Sequence, residues 1–406
     1  MSAFSRYAAA ALLPVLAALA ALATGCGAGP DAPPADAPGS GARRPAAPHP
    51  AQRAARPVPH HRAGAPAARP FTLIASGDVI PTHPDVLDTA RDDAPVAGGY
   101  DFRPMLRGIR PLISGAGLAL CHLQAPLGPL DGPFTGYPAL QAPPQIAAAL
   151  KATGFDSCAT ASHHALDQGP DGVRRTLDAL DTVGLRHTGT ARDAAEAARP
   201  ALLRTPGGAL VAHLAYAYAT DGDRPPEDAP WAIAPLDPRR VLADARAARR
   251  AGADVVVVSP YWGTEYRTAP DTRQLRLART LTAARAGGRP AIDLIVGGGR
   301  AHTPQPFEKV NGTWVVYGLG DQLAGAMSQE RGDWGTAARF RFVPPARPGE
   351  RWRVARAEYV PLLTDTGPPV RVLDLGRTPG YEDARAEIRR AVLSRGAADD
   401  GLVRGR

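Results

Sequence analysis

Apolar residues in this chain fall into short runs that end on polar clusters. Residues 71–79, FTLIASGDV, carry β-forming and small side chains into Gly77-Asp78, and Pro81 and Pro84 then break the chain. This pattern predicts a buried strand that hands a carboxylate to its C-terminal edge, where α/β sheets place ligands. Three later runs end in the same way. GAGLALCHL at 115–123 leads into Gln124 and Pro126, 155–161 into Ser162-His163-His164, and 291–296 into Gly297-Gly298-Gly299-Arg300-Ala301-His302. DVVVVS at 254–259 is the clearest strand, and its unbroken valines predict burial on both faces. It runs directly into Tyr261-Trp262-Gly263-Thr264-Glu265.

The intervening segments predict helices. Residues 143–153 begin with proline near the first turn and stop at Gly154, and 171–183 place Leu177 and Leu180 on one face. Further helices are predicted at 238–251, 271–286 and 382–393. Antiparallel strands are predicted at 313–319, 338–343 and 351–360, and no repeat of fixed period is visible. Residues 71–395 therefore read as one α/β body, followed by a disordered tail at 396–406.

The N-terminal part reads differently. An apolar, alanine-rich run at 8–23 follows Arg6 and ends at Leu22-Ala23-Thr24-Gly25-Cys26, which predicts an export signal over 1–26. Residues 27–70 contain eleven prolines and one large aliphatic residue, Val58, too little apolar surface to offset chain entropy. They predict a disordered Pro/Ala/Arg-rich tether. Its six arginines against two aspartates, together with Arg6, carry most of the net charge of +8. The body at 71–406 is nearly balanced, so a nucleic-acid face is not expected. Beyond Cys26 the chain has only Cys121 and Cys158; a disulfide and two buried thiols both remain open, and no CxxC pair suggests cysteine-bound zinc.

Five strings, GDV at 77–79, SHHALDQG at 162–169, YWGTEY at 261–266, GGRAHTPQPFE at 298–308 and VYGLGD at 316–321, resemble in order and spacing the bacterial CapA family of poly-gamma-glutamate capsule synthesis. The resemblance covers roughly residues 71–324. It implies an α/β (α+β) fold similar to the calcineurin-like metallophosphatases, a four-layer sandwich of two mixed β-sheets flanked by helices. Separately, the Leu22–Cys26 end itself resembles a bacterial lipoprotein signal, which implies that Cys26 is acylated and the protein held at the outer face of the cell membrane; ordinary cleavage and an uncleaved anchor are the alternatives.

Carried over residue by residue, the family pattern is incomplete. Asp78, His164, Asp167 and Gly169 match, and so does Glu265. The family's Asn-Leu-Glu is His122-Leu123-Gln124, its two asparagines before the histidine are Ser162 and His163, and its His-Trp-Gly has become Tyr261-Trp262-Gly263. Its Gly-His-His-Pro-His is Gly298-Gly299-Arg300-Ala301-His302. The surviving metal-ligand candidates are Asp78, His164 and His302, with Gln124, His163 and His122 as possible substitutes; the three suffice for one divalent metal (Mn, Zn or Fe) with an open position, not for two. His163, Glu265 and Arg300 are the candidate catalytic side chains. Arg300 is a fixed cation that opposes metal loading and favours an anion, so a metal-free anion-binding remnant stays open beside the one-metal site. Asp167 is expected to orient a neighbouring histidine or cap the next helix, and the glycines at 297–299 to make a tight turn. The expected partners are an anionic polymer such as poly-gamma-glutamate, the membrane through Cys26, and other capsule-synthesis membrane proteins. The function implied is capsule or exopolymer synthesis; the alternatives are a non-catalytic polymer-binding or export-assisting module and a metal-dependent phosphoesterase.

Overall fold

The computed structural model describes residues 68–218, 225–347 and 350–405. The expected export signal, Cys26 and nearly all of the 27–70 tether lie outside the described residues. In chain order the strands are β1 (Phe71–Val79), β2 (Leu118–Leu123), β3 (Ser157–Ala159), β4 (Arg186–Thr188), β5 (Ala201–Arg204), β6 (Leu210–Ala217) and β7 (Val255–Tyr261). A short hairpin of β8 (Arg285–Ala286) and β9 (Arg289–Pro290) precedes β10 (Leu294–Val296), β11 (Phe307–Val310) and β12 (Thr313–Val316). The last are β13 (Asp321–Leu323), β14 (Trp334–Val343), β15 (Arg353–Asp365), β16 (Arg371–Asp374) and β17 (Leu402–Arg404).

Two mixed sheets result. The first has the order β16-β15-β14-β1-β2-β3-β4, with β13 on β1 and β17 on β15; the second runs β11-β12-β10-β7-β6-β5. Period-two alternation sorts the strand side chains between layers. Ile74, Ala119 and Cys121 face a core built with Val86, Ile113, Ile146, Leu150, Val173 and Leu177 of the helices over the first sheet. Leu73, Ala75, Leu118 and Leu120 face the other way, against Val255, Val257, Leu294 and Val296 of the second sheet. Val256, Val258 and Ile295 then pack on Val241, Ala245, Leu277 and Leu281 of the helices Pro238–Arg250 and Thr272–Ala283. The layers are thus helix, sheet, sheet, helix, as expected, and the valines of β7 are buried on both faces. Each fully buried aliphatic side chain contributes about 1.5–3 kcal/mol, so the inner strands hold their C-terminal ends in fixed places.

Local chemistry sets the element ends. Asp271 and Gln274 form a reciprocal cap that starts the helix Thr272–Ala283. That helix stops at Ala283, short of the expected 286, because Gly287 and Gly288, both at positive φ, turn the chain into the β8–β9 hairpin. The 313–319 segment pairs antiparallel with β11 but parallel with β10, so it lies inside the second sheet instead of forming a meander with the later strands.

The expected disordered tail is a correction. Leu402 and Ala397 are buried, β17 pairs in parallel with β15, and the Gly405 amide donates to the Tyr359 carbonyl. An apolar anchor of one or two side chains is too short to show as periodicity. Cys121 and Cys158 face each other in register on β2 and β3, with Cα atoms 4.4 Å apart, and their sulfurs are bonded. No helix among the described residues is long and apolar enough to cross a membrane.

Candidate functional site

Strands β1, β2 and β3 of the first sheet run parallel, as do β6, β7, β10 and β12 of the second. Their C-terminal ends open on one mouth. Asp78 is fully buried there. Gly77 before it is required because a Cβ would collide with the Gly320 carbonyl, the same carbonyl that accepts from the Asp78 amide. Asp78 Oδ1 accepts from His122 Nδ1 at 2.6 Å and from the Gly299 amide at 2.9 Å, while Oδ2 is buried with no partner among the described residues. The other ring nitrogen of His122 faces the Ala161 carbonyl at 3.2 Å, so both nitrogens meet oxygen acceptors inside the protein. The ring is wedged beneath Gly298, where a Cβ would strike it. The glycines at 297–299, none at positive φ, allow close approach to Trp262, His122 and Asp78, and the expected tight turn begins at the last of them, where the Gly299 carbonyl accepts from the His302 amide.

Beyond β3, the rings of His163 and His164 meet at a tilt of 44° with centroids 3.9 Å apart. His164 Nδ1 bonds Asp167 at 2.6 Å, and Asp167 also accepts from the Leu140 amide, so this aspartate orients the histidine. Gln124 Nε2 donates to the Tyr261 hydroxyl at 2.9 Å, which leaves the phenol hydrogen for His163 Nδ1 at 2.6 Å. That chain directs the other ring nitrogen of His163 outward. Burial, then the neighbouring His164, Arg300 and His302, depresses His163 to about 2, so it is neutral near pH 7. Burial, with Asp78 adding to it, pushes the Tyr261 phenol up.

The third part is the loop after β10. His302 sits at φ 51° and Tyr266, whose amide donates to the Ala301 carbonyl, at φ 55°; left-handed backbone is strained for both and is held here by the surrounding bonds. His302 Nδ1 bonds both oxygens of Asp321, at 3.0 and 3.2 Å. Burial opposes charge on His302, but Asp321, and more weakly Asp78 and Glu265, outweigh it and raise the imidazole to about 9. Asp321 lies opposite Asp78 in register; burial raises its carboxyl while His302 pulls it down. Arg300 is half-buried and has no hydrogen-bond or carboxylate partner among the described residues, and Glu265 is exposed on the loop after β7.

The residues expected to converge do so, linked through Asp78, His122, Tyr261, His163, His164 and the 299–302 loop. Their fit to a metal is poorer. Among the described residues no group of three or more His, Cys, Asp or Glu is disposed to hold a metal ion. Asp78 spends one oxygen on His122, whereas His164 and His302, each bonded to a carboxylate through Nδ1, keep the other ring nitrogen, the arrangement that metal-ligating histidines use. Asp78 Oδ2 and Gln124 Oε1 are buried with no hydrogen-bond partner among the described residues. Asp167 orients His164, one of the two roles expected of it, and His122, a possible substitute ligand, is bonded in the interior instead. No role was expected of the Tyr261 hydroxyl or of Asp321, although both stand in the motifs, and only register puts Asp321 beside Asp78. A cavity of about 280 Å³ lies elsewhere, between the sheet edges at β4 and β5, and is lined by Arg192, Glu196, Trp231 and Tyr216. Arg192 is already satisfied there by Asp178, Asp181 and Glu196.

The model of the bacterial capsule synthesis protein PGA_cap matches residues 72–326, more than half of the chain. The chain belongs to that family. It is 30% identical over 172 residues to the PGA biosynthesis protein CapA of Bacillus subtilis, covering 42% of this chain and 43% of that one. It is 27% identical over 186 residues to the capsule biosynthesis protein CapA of Bacillus anthracis, covering 45% and 43%. The matches span less than half the length of these curated relatives. Among solved structures, a calcineurin-like phosphoesterase of Bacillus subtilis is similar with TM-score 0.41 and 14% identity, covering 80% of this chain and 97% of that one. The NAD nucleotidase of Haemophilus influenzae is similar with TM-score 0.43 and 11% identity, covering 83% and 64%.

Proposed function

We propose that this PGA_cap protein acts in capsule or poly-γ-glutamate synthesis by holding the anionic polymer at the mouth formed by His163, His164, Arg300 and His302. One observation carries the reading: the buried carboxylates Asp78 and Asp321 and the half-buried Asp167 are tied to histidine Nδ1 atoms, so nitrogen donors dominate what is left for a ligand. Three histidines present their second nitrogen and Arg300 its free guanidinium, a set suited to pairing with carboxylates. A base that works near pH 7 needs a pKa near that value; His163, held at about 2, is suited to donate a hydrogen bond from its outer nitrogen and not to take up a proton. Non-catalytic polymer binding is therefore favoured over the catalytic roles considered for His163, Glu265 and Arg300.

The protein is proposed to work outside the cytoplasm, anchored by acylated Cys26 beside other capsule-synthesis membrane proteins. The Cys121–Cys158 bridge supports an oxidising compartment. A second reading, a one-metal phosphoesterase, is favoured by the orphaned oxygens of Asp78 and Gln124. Titration of the full chain with poly-γ-glutamate separates the two. Saturable binding that Arg300→Ala weakens about tenfold, in protein stripped with chelator, supports the polymer reading. No binding by the stripped protein, with about one tightly held metal before stripping, overturns it in favour of the phosphoesterase.

A further inference from the structure

We propose that the mouth continues past Arg300 into a second carboxylate subsite made by Tyr218, Arg273 and Arg276, so that the protein grips a polycarboxylate chain at successive acidic units. This inference rests on the polymer reading above. Tyr218 follows β6, and its amide donates at 3.2 Å to the carbonyl of Tyr261, the residue whose hydroxyl holds His163. Its ring is 5% exposed and carries the Arg273 guanidinium 3.6 Å above its centre. Its hydroxyl is buried with no partner among the described residues, an unusual state for a polar atom and one that a ligand oxygen would relieve.

Arg273 and Arg276 lie three residues apart on the exposed face of the helix Thr272–Ala283. Among the described residues neither has a carboxylate partner. The helix start is fixed against the Arg300 loop. Gln274 is fully buried and donates to Gln305 and to the Tyr317 carbonyl, and a Cβ on Gly263 would lie 3.3 Å from Gln274 Nε2 and 3.6 Å from the Ala301 Cβ. The positive charges of Arg273, Arg276 and Arg300 all reach the Tyr218 phenol, and Arg300 also reaches His163. Arg300 is thus coupled electrostatically to both groups of donors. Of the nearby acids, Asp271 is occupied by the Gln274 amide and the Thr264 hydroxyl, and Glu265 is exposed. Guanidinium groups in a row match a chain that repeats a carboxylate on every unit; a single glutamate fills one subsite, whereas the polymer fills both and gains from its own linkage.

The test measures affinity of the full chain for glutamate, γ-diglutamate and long poly-γ-glutamate. Wild type is expected to gain at least about tenfold from the monomer to the polymer. Arg273→Ala/Arg276→Ala is expected to remove that gain, so that polymer and monomer bind with about equal affinity. Arg276→Glu, which keeps the Arg273–Tyr218 stack, controls for folding and is expected to lose most of the same gain. Full length dependence in both variants would overturn the subsite and leave the polymer reading standing. Equal preference for polyphosphate would overturn carboxylate selection, and absence of polymer binding by wild type would overturn both proposals.

Discussion

Asp78 and Asp321 lie side by side in register on β1 and β13, both buried and both bonded to a histidine, yet the two pairs differ in what they leave for the mouth. His122 uses both nitrogens inside the protein and is packed under Gly298. His302 uses only Nδ1 and turns its other nitrogen outward from a strained backbone. The same acid–histidine pair is a lock when both ring nitrogens are bonded internally and a presented donor when one is free.

The comparison can be broken at the lock first. The Cys121–Cys158 bridge closes a 37-residue separation next to His122. Replacing both cysteines by serine is expected to lower stability by about 4 kcal/mol, measured by denaturant unfolding, with a much smaller effect on the donors of the 299–302 loop. Asp78→Asn comes next, at about 2 kcal/mol, because an amide nitrogen is then forced against the Gly299 amide or His122; equal stability of this variant and wild type would show that the pair is not a lock. His122→Asn is expected to cost about 1–2 kcal/mol and to free Asp78 Oδ1. Mass spectrometry of the intact variant is then expected to find bound Mn²⁺ or Zn²⁺ that wild type does not retain.

The smallest stability effect falls on the presented donor, and it depends on pH. His302 is raised from its ordinary 6.5 to about 9, so the stability it adds is fully present below 6.5 and is lost as pH rises through about 9. The melting temperature of wild type is expected to fall across that window, and His302→Gln, costing about 1 kcal/mol at pH 6, to flatten the profile. An unchanged profile in this variant would place the titration elsewhere. Outside both pairs, Arg300→Ala is expected to leave stability within about 0.5 kcal/mol of wild type while polymer affinity falls.

Much of this was legible in the chain. Alternating or unbroken apolar runs marked β1, β2, β7 and β10 because a strand's two faces must each meet a core, and Asp78, His163, His164 and His302 stood out because each follows such a run. The β17 strand was missed because its anchoring residues are too few to make a period. The parallel β10–β12 pairing was missed because an apolar run carries no direction.

What the amino-acid sequence by itself determined was the layered α/β plan, the family, and which side chains sit at strand ends, since these depend on local composition and spacing. Only the tertiary structure decided how the titratable groups are shared out. Which nitrogen of His122 or His302 finds a partner, and that Asp321 stands beside Asp78, depend on register between strands about 240 residues apart in the chain. Hydrogen bonds act over a few tenths of an ångström, a precision that no residue pattern carries and that packing of the two sheets imposes.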